Sequence, residues 1–167
     1  MLAKDFEPDR LEAAKKVAMQ FIKDRPNDRI GLVVFSGESF TQCPITIDHQ
    51  VLLNLFKDIQ SGMVEDGTAI GMGLATAVAR LKESKSKTKV IILMTDGVNN
   101  MGYIDPYTSI QIAKTFGVRV YTIGIGKNGN APYPVKDQNG RTYYQSFPVQ
   151  IDEPLLRKIA QETGGSY

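Results

Sequence analysis

Apolar positions along the chain fall into two rhythms, stretches with helical spacing and short, nearly continuous runs. Leu11, Ala14, Val17, Ala18, Phe21 and Ile22 make one stripe of an amphipathic helix over 8–23. Pro8 suits its first turn, Glu7 and Asp9 lie at its positive end, and Pro26-Asn27-Asp28 stops it. Residues 30–35 read as a buried strand, and Ser36-Gly37-Glu38-Ser39 as a tight turn into a second strand over 40–47. So short a connection makes that pair antiparallel. A short helix is predicted over 50–59 and a longer one over 68–81, where Ile70, Leu74, Ala77, Val78 and Leu81 share a face. Gly71 and Gly73 in its first turns each cost about 1 kcal/mol relative to Ala, which implies close packing against a strand or loop.

The alternation continues with a strand over 90–95, a helix over 106–116, a strand over 118–125, and a last helix capped by Asp152 and ended by Gly164-Gly165. Residues 127–150 break the rhythm. Two strand-like runs flank Gln138-Asn139-Gly140, a strong hairpin signal, so an inserted β-hairpin is expected over 132–148. Its Tyr133, Tyr143, Tyr144 and Phe147 either form a contact surface or pack the hairpin onto the sheet. The whole pattern predicts an α/β fold, doubly wound, with a mostly parallel sheet, helices on both faces and one antiparallel edge strand. The strands at 30–35, 90–95 and 118–125 are expected to share that sheet.

Composition narrows the function. At 167 residues the chain is expected to be a single domain. Its 20 basic and 18 acidic residues give a net charge of +2 with no basic block, so charge offers no argument for nucleic acid or an anionic membrane. Cys43 is a lone cysteine and His49 a lone histidine, which excludes a zinc site and a disulfide framework within one chain. Cys43 reads as a small hydrophobe and His49 as a surface or capping residue. No apolar run is long enough to span a bilayer, and residues 1–5 lack the apolar core of a leader, so the chain as given reads as soluble.

Chemistry concentrates in Val90-Ile91-Ile92-Leu93-Met94-Thr95-Asp96-Gly97. Asp96 ends an apolar strand, where open α/β sheets place their ligands. A carboxylate there is costly to desolvate unless a cation or hydrogen-bond donor meets it. Asp66-Gly67-Thr68 opens a helical pattern upstream and offers a hydroxyl and helix N-terminal amides. An aspartate and a threonine on converging loops make half of a hard-cation site. No nucleophile, general base or acid–base pair emerges.

With these residues in place, the chain resembles a von Willebrand factor A domain. The resemblance spans nearly all 167 residues and rests on the 30–47 hairpin, Asp66-Gly67-Thr68, Thr95-Asp96-Gly97 and Tyr121-Thr122-Ile123-Gly124-Ile125-Gly126. The inserted hairpin and the Gly-Lys-Asn-Gly run before it are similar to the bacterial aerotolerance (Bat-type) group. The resemblance implies a metal-ion-dependent adhesion site for Mg²⁺ or Mn²⁺, with Thr68 and Asp96 as ligands and a partner's carboxylate completing the shell. It implies a protein partner, no enzymatic activity, and a full-length protein anchored in the bacterial inner membrane through segments outside this chain.

The family's Asp-x-Ser-x-Ser motif, which follows its first strand, does not occur in the sequence. On this resemblance the domain is expected to lack its first strand, and also its last strand, which the family enters at Gly164-Gly165-Ser166-Tyr167; it is expected to hold Mg²⁺ or Mn²⁺ weakly or not at all and to self-associate through exposed sheet edges. The main alternative is a haloacid-dehalogenase-like phosphatase using Asp96 as a metal ligand, from the resemblance of Thr95-Asp96-Gly97-Val98-Asn99-Asn100 to that family's late metal motif. Against it, Ser61-Gly62-Met63-Val64-Glu65 is no apolar strand and Asn100 is neutral where a second carboxylate is wanted. A doubly wound nucleotide-binding domain is the other alternative, but Gly124-Ile125-Gly126-Lys127-Asn128-Gly129 leads into a hairpin rather than a helix.

Overall fold

A computed structural model describes residues 1–167 and has five helices and six strands. In chain order these are α1 (Arg10–Lys23), β1 (Ile30–Phe35), β2 (Ser39–Thr46), α2 (His49–Lys57), α3 (Ile70–Leu81), β3 (Lys89–Thr95), α4 (Pro106–Thr115), β4 (Val118–Gly124), β5 (Gly129–Lys136), β6 (Thr142–Val149) and α5 (Glu153–Glu162). The helices start at short acidic caps. The side chains of Asp9, Asp48, Asp105 and Asp152 each accept a hydrogen bond from an amide in the first turn of α1, α2, α4 and α5. Pro8 therefore precedes the cap of α1 instead of lying in its first turn. α3 has no side-chain cap of its own, and Thr68 lies ahead of the helix.

The α/β class and the doubly wound element order hold, but the strands do not join into one continuous sheet. β1 pairs antiparallel with β2, β3 pairs parallel with β4, and β5 pairs antiparallel with β6. β1 and β3 are not hydrogen-bonded to each other, so an edge of each is unpaired. α3 spans the break, packing against β1 and β2 on one side and β3 on the other.

The main core lies under α3, α4 and α5. Ile70, Leu74 and Val78 meet Ile91 and Leu93 of β3, Val118 and Val120 of β4, and Leu156 and Ile159 of α5. The alternating burial of β3 and β4 follows from their pleat, which sends successive side chains to opposite faces. Their other face carries Val90, Ile92 and Ile123, all exposed. A smaller core of Ile22, Cys43 and Leu52 joins α1 and α2 to the β1–β2 hairpin. Cys43 is buried there, as expected of a small hydrophobe.

Gly71 and Gly73 have the close neighbours their positions imply. A side chain at Gly71 would run into the backbone at 104–106, where the Ser109 hydroxyl donates to the Gly71 carbonyl at 2.7 Å. A Cβ at Gly73 would meet the Phe35 ring at 2.7 Å. After α5 the chain runs beside β4, and the Thr122 amide donates to the Ser166 carbonyl at 3.1 Å.

The inserted hairpin forms where Asn139-Gly140 places it. Asp137 closes its turn by accepting from the amides of Asn139 and Arg141, each at 2.8 Å, and Gly140 takes the positive φ of +78° that the turn needs. Tyr133 and Phe147 pack edge to face with ring centroids 6.0 Å apart. Tyr143, Tyr144 and Phe147 are exposed, so these three do not pack the hairpin onto the sheet.

Candidate functional site

Asp96 lies just past the end of β3, where the last ladder position is Thr95 opposite Gly124. Its carboxylate is not bare. The α-ammonium of Met1 lies 2.6 Å from Oδ2, and Nη1 of Arg10 lies 3.4 Å from the same oxygen. Arg10 in turn grips Asp5 with a two-pronged fork, Nε and Nη2 each donating to one carboxylate oxygen at 2.7 Å. The Arg10 side chain is only 1% exposed. Its room comes from Gly126, whose φ of +109° and missing Cβ leave space that the guanidinium fills. The hydrogen bonds from Arg10 hold the Asp5 carboxyl below the usual carboxylate range, and Lys127 adds to that pull. Two carboxylates thus face two cations in one network.

Thr68 belongs to the neighbouring loop, which is fastened to the loop after β3 at several points. The Thr68 amide donates to Oδ1 of Asn100 at 2.8 Å, and the Asn100 amide donates back to the Thr68 carbonyl at 3.0 Å. Oδ1 of Asn99 accepts from the Ile70 amide at 2.8 Å and so serves as the N-terminal cap that α3 lacks locally. On the other side the Ala69 amide donates to the Ser36 carbonyl at 2.7 Å, and the Ser36 hydroxyl donates to the Gly67 carbonyl at 3.0 Å. A Cβ on Gly97 would come within 2.7 Å of the Thr68 hydroxyl, so glycine there lets the two loops close.

Between the ends of β1 and β3 lies a cleft of about 340 Å³, lined among others by Met1, Phe35, Thr68, Asp96, Asn100 and Tyr133. Tyr133 reaches it from β5. Burial raises its phenol pKa, and the carboxylates of Asp66 and Asp96 raise it further. The structure therefore brings Thr68 and Asp96 to one cleft, with Asp66 exposed at its rim.

The donors present do not make a divalent-metal site by themselves. No group of three or more His, Cys, Asp or Glu side chains is placed to hold an ion. Thr68 and Asp96 supply two side-chain oxygens, and Arg10 already faces Oδ2 of Asp96. Mg²⁺ and Mn²⁺ keep several waters and are held by few protein oxygens, so these two hard donors suit such an ion only when further donors complete its shell.

Arg10, Asp5, Asn99, Asn100 and Tyr133 surround the two candidate residues that the sequence points to. One signal for Arg10 was present: it stands four residues before Ala14 and eight before Ala18, on the apolar side of α1. The asparagines follow Thr95-Asp96-Gly97 directly, but nothing in the sequence tells which backbone amides they cap. Residues 60–66 form no strand, so the phosphatase alternative lacks the strand-borne nucleophile that it requires.

These loops and β5 gather Thr68, Asp96 and Tyr133 on one cleft at the carboxyl ends of β1 and β3. The chain belongs to the von Willebrand factor type A domain family, whose model matches residues 1–164. Within it, two similar solved structures are a Bacteroides fragilis aerotolerance-related membrane protein and BatB of Bacteroides thetaiotaomicron. The first has a TM-score of 0.84 and 29% identity, over 100% of this chain and 84% of that one. The second has a TM-score of 0.80 and 30% identity, over 100% and 82%. An uncharacterized protein of Borreliella burgdorferi is 34% identical over 159 residues, 95% of this chain and 47% of the relative. The chain spans about half the length of the curated relatives it matches. No helix in it is long and apolar enough to cross a membrane.

Proposed function

We propose that this domain recognises a protein partner in a metal-dependent way, as an adhesion or scaffold module and not as an enzyme. Thr68 and Asp96 are the chain's own ligands for Mg²⁺ or Mn²⁺, and an acidic side chain of the partner completes the shell. The observation that carries this reading is the placement of Thr68 and Asp96 on one cleft at the carboxyl ends of β1 and β3. Membership of the von Willebrand factor type A family supports it. A net charge of only +2 gives no argument for nucleic acid as the partner.

The gap between β1 and β3 is, in this proposal, the seat of one further strand. Such a strand pairs both unpaired edges and brings the Asp-x-Ser-x-Ser oxygens beside Thr68 and Asp96. Its source is sequence joined ahead of Met1, or the edge of another chain when the domain self-associates. A further strand beyond β4 is proposed on the same grounds, where Thr122 already bonds to Ser166. Anchorage of the whole protein in the bacterial inner membrane is likewise proposed, supported by the name of the Bacteroides fragilis neighbour.

The test compares this chain with one extended upstream by an apolar strand ending in Asp-x-Ser-x-Ser, in Mn²⁺ titrations and thermal melts. The extended chain is expected to melt higher and to bind Mn²⁺ at least tenfold more tightly, with Asp96→Ala abolishing the gain while the fold persists. Equal melting and equal affinity in the two chains would sink the reading.

A further inference from the structure

Metal recognition by Thr68 and Asp96 leaves Arg10 unaccounted for. A guanidinium 1% exposed is expensive to desolvate, and an apolar side chain at the same place on α1 packs at lower cost. Arg10 is nonetheless built in from every side. Asp5 takes Nε and Nη2, both at 2.7 Å, and Nη1 faces Oδ2 of Asp96 at 3.4 Å. Gly126 provides the room for its planar head. The Asp5 grip fixes the fork, and the fixed fork aims its remaining nitrogen at the cleft. Because a guanidinium keeps its charge at every accessible pH, this positive charge cannot be titrated away.

We propose that Arg10 is a positioning residue and internal counter-cation for Asp96, holding the carboxylate at the cleft without metal and competing with a divalent ion for it. The inference rests on the reading of Asp96 as a metal ligand. A dication arriving at Oδ2 meets a fixed positive charge on the same oxygen, so its affinity is set partly by Arg10. Extra oxygen donors, from an added strand or from a partner, shift the balance toward the metal. Metal loading and donor recruitment are thereby linked, and the isolated cleft stays closed to stray cations.

Mn²⁺ titration followed by electron paramagnetic resonance tests this on the chain with its α-amino group acetylated, which removes the other cation on Asp96. Arg10→Met is expected to bind Mn²⁺ at least tenfold more tightly than the parent. Arg10→Lys, which keeps the charge, is expected to stay within about twofold of the parent. Asp96→Asn in the Arg10→Met background is expected to abolish the gain. If Arg10→Met binds no better, or Arg10→Lys gains as much as Arg10→Met, the counter-cation role is overturned while Asp96 keeps its place. If the gain survives Asp96→Asn, the ion binds elsewhere, and the reading of Asp96 as a ligand fails with it. Should Arg10→Met lose its fold through the stranded Asp5 carboxylate, Asp5→Asn with Arg10→Met replaces it, with an expected gain of at least threefold.

Discussion

The half of the molecule built on β3 and β4 differs from the half built on β1 and β2. In the first, three helices press on one sheet face, and thirteen buried residues make one continuous core. In the second, α1 and α2 close over a hairpin with only three buried residues, Ile22, Cys43 and Leu52. The apolar stripe of α1 is largely unmet: Val17 is 60% exposed and Phe21 is exposed too, although both lie on the side the periodicity marks as inward. In α3 the stripe is met, with Ile70, Leu74 and Val78 buried and Ala77 and Leu81 partly buried against the same core. The surroundings differ as well as the helices: the more apolar α3 bridges both sheet pieces, whereas α1, rich in charged residues, packs on α2 and borders the cleft through Leu11. Amphipathic patterning states what a helix is prepared to bury. It does not guarantee that a surface is there to receive it.

The contrast is sharpened first by core truncation. Leu74→Ala is expected to cost about 3–5 kcal/mol in urea unfolding, and Leu52→Ala about 2 kcal/mol, because the smaller cluster has more freedom to collapse. Both side chains are fully buried, so the comparison isolates the neighbours. Equal costs would show that the two halves form one equally packed unit.

A second, smaller effect concerns the ion network that ties α1 to β3. Asp5→Asn is expected to cost about 2 kcal/mol at neutral pH, since it weakens the partner of a buried guanidinium. The sign with pH follows from the lowered carboxyl of Asp5. Its contribution is complete above the ordinary carboxylate value and is lost as pH falls through the lower folded value. The parent should therefore shed stability below about pH 4 more steeply than Asp5→Asn does, as read from melts across an acid series.

Hydrogen exchange offers a third measurement. Amides of α1 are expected to exchange at least tenfold faster than those of β3 and β4, because few buried apolar contacts hold that helix. Uniform protection would erase the contrast. The smallest effect is at Cys43. Burial raises its thiol above the ordinary value, with a further push from Asp48. Alkylation at pH 8 should thus be slow in the folded chain and should accelerate in low urea before the main transition, if the smaller core opens first.

The fold was legible in the sequence wherever local pattern decides it. Ile70, Leu74 and Val78 on one helix face, Ile91 and Leu93 on one strand face, and the Asn139-Gly140 turn all take the places their spacing implies. Of the candidate cleft, the place of Asp96 was legible because an apolar strand runs into it, and that of Thr68 because its loop precedes a helical pattern. The break between β1 and β3 was less legible, because strand pairing depends on which edges meet in space. Asn99, Asn100 and Tyr133 escaped for a related reason: each acts across about thirty residues or more of sequence, on backbone amides or carboxylates that no local rhythm singles out. Arg10 left a trace, a charge on an apolar stripe, but the identity of its acceptors needs the fold.

The Arg10–Asp96 contact joins residues 86 positions apart, and that separation bears on the order in which the molecule assembles. The β1–β2 and β5–β6 hairpins close over short loops and can form early. Bringing Arg10 to Asp96 closes a far longer loop and needs α1 and β3 already in position, so its entropy is spent late. Substitutions at Arg10 are accordingly expected to speed unfolding and leave the refolding rate nearly unchanged, a φ-value near zero. In kinetic terms the cleft is a finishing step, completed only on a chain whose two halves have already met.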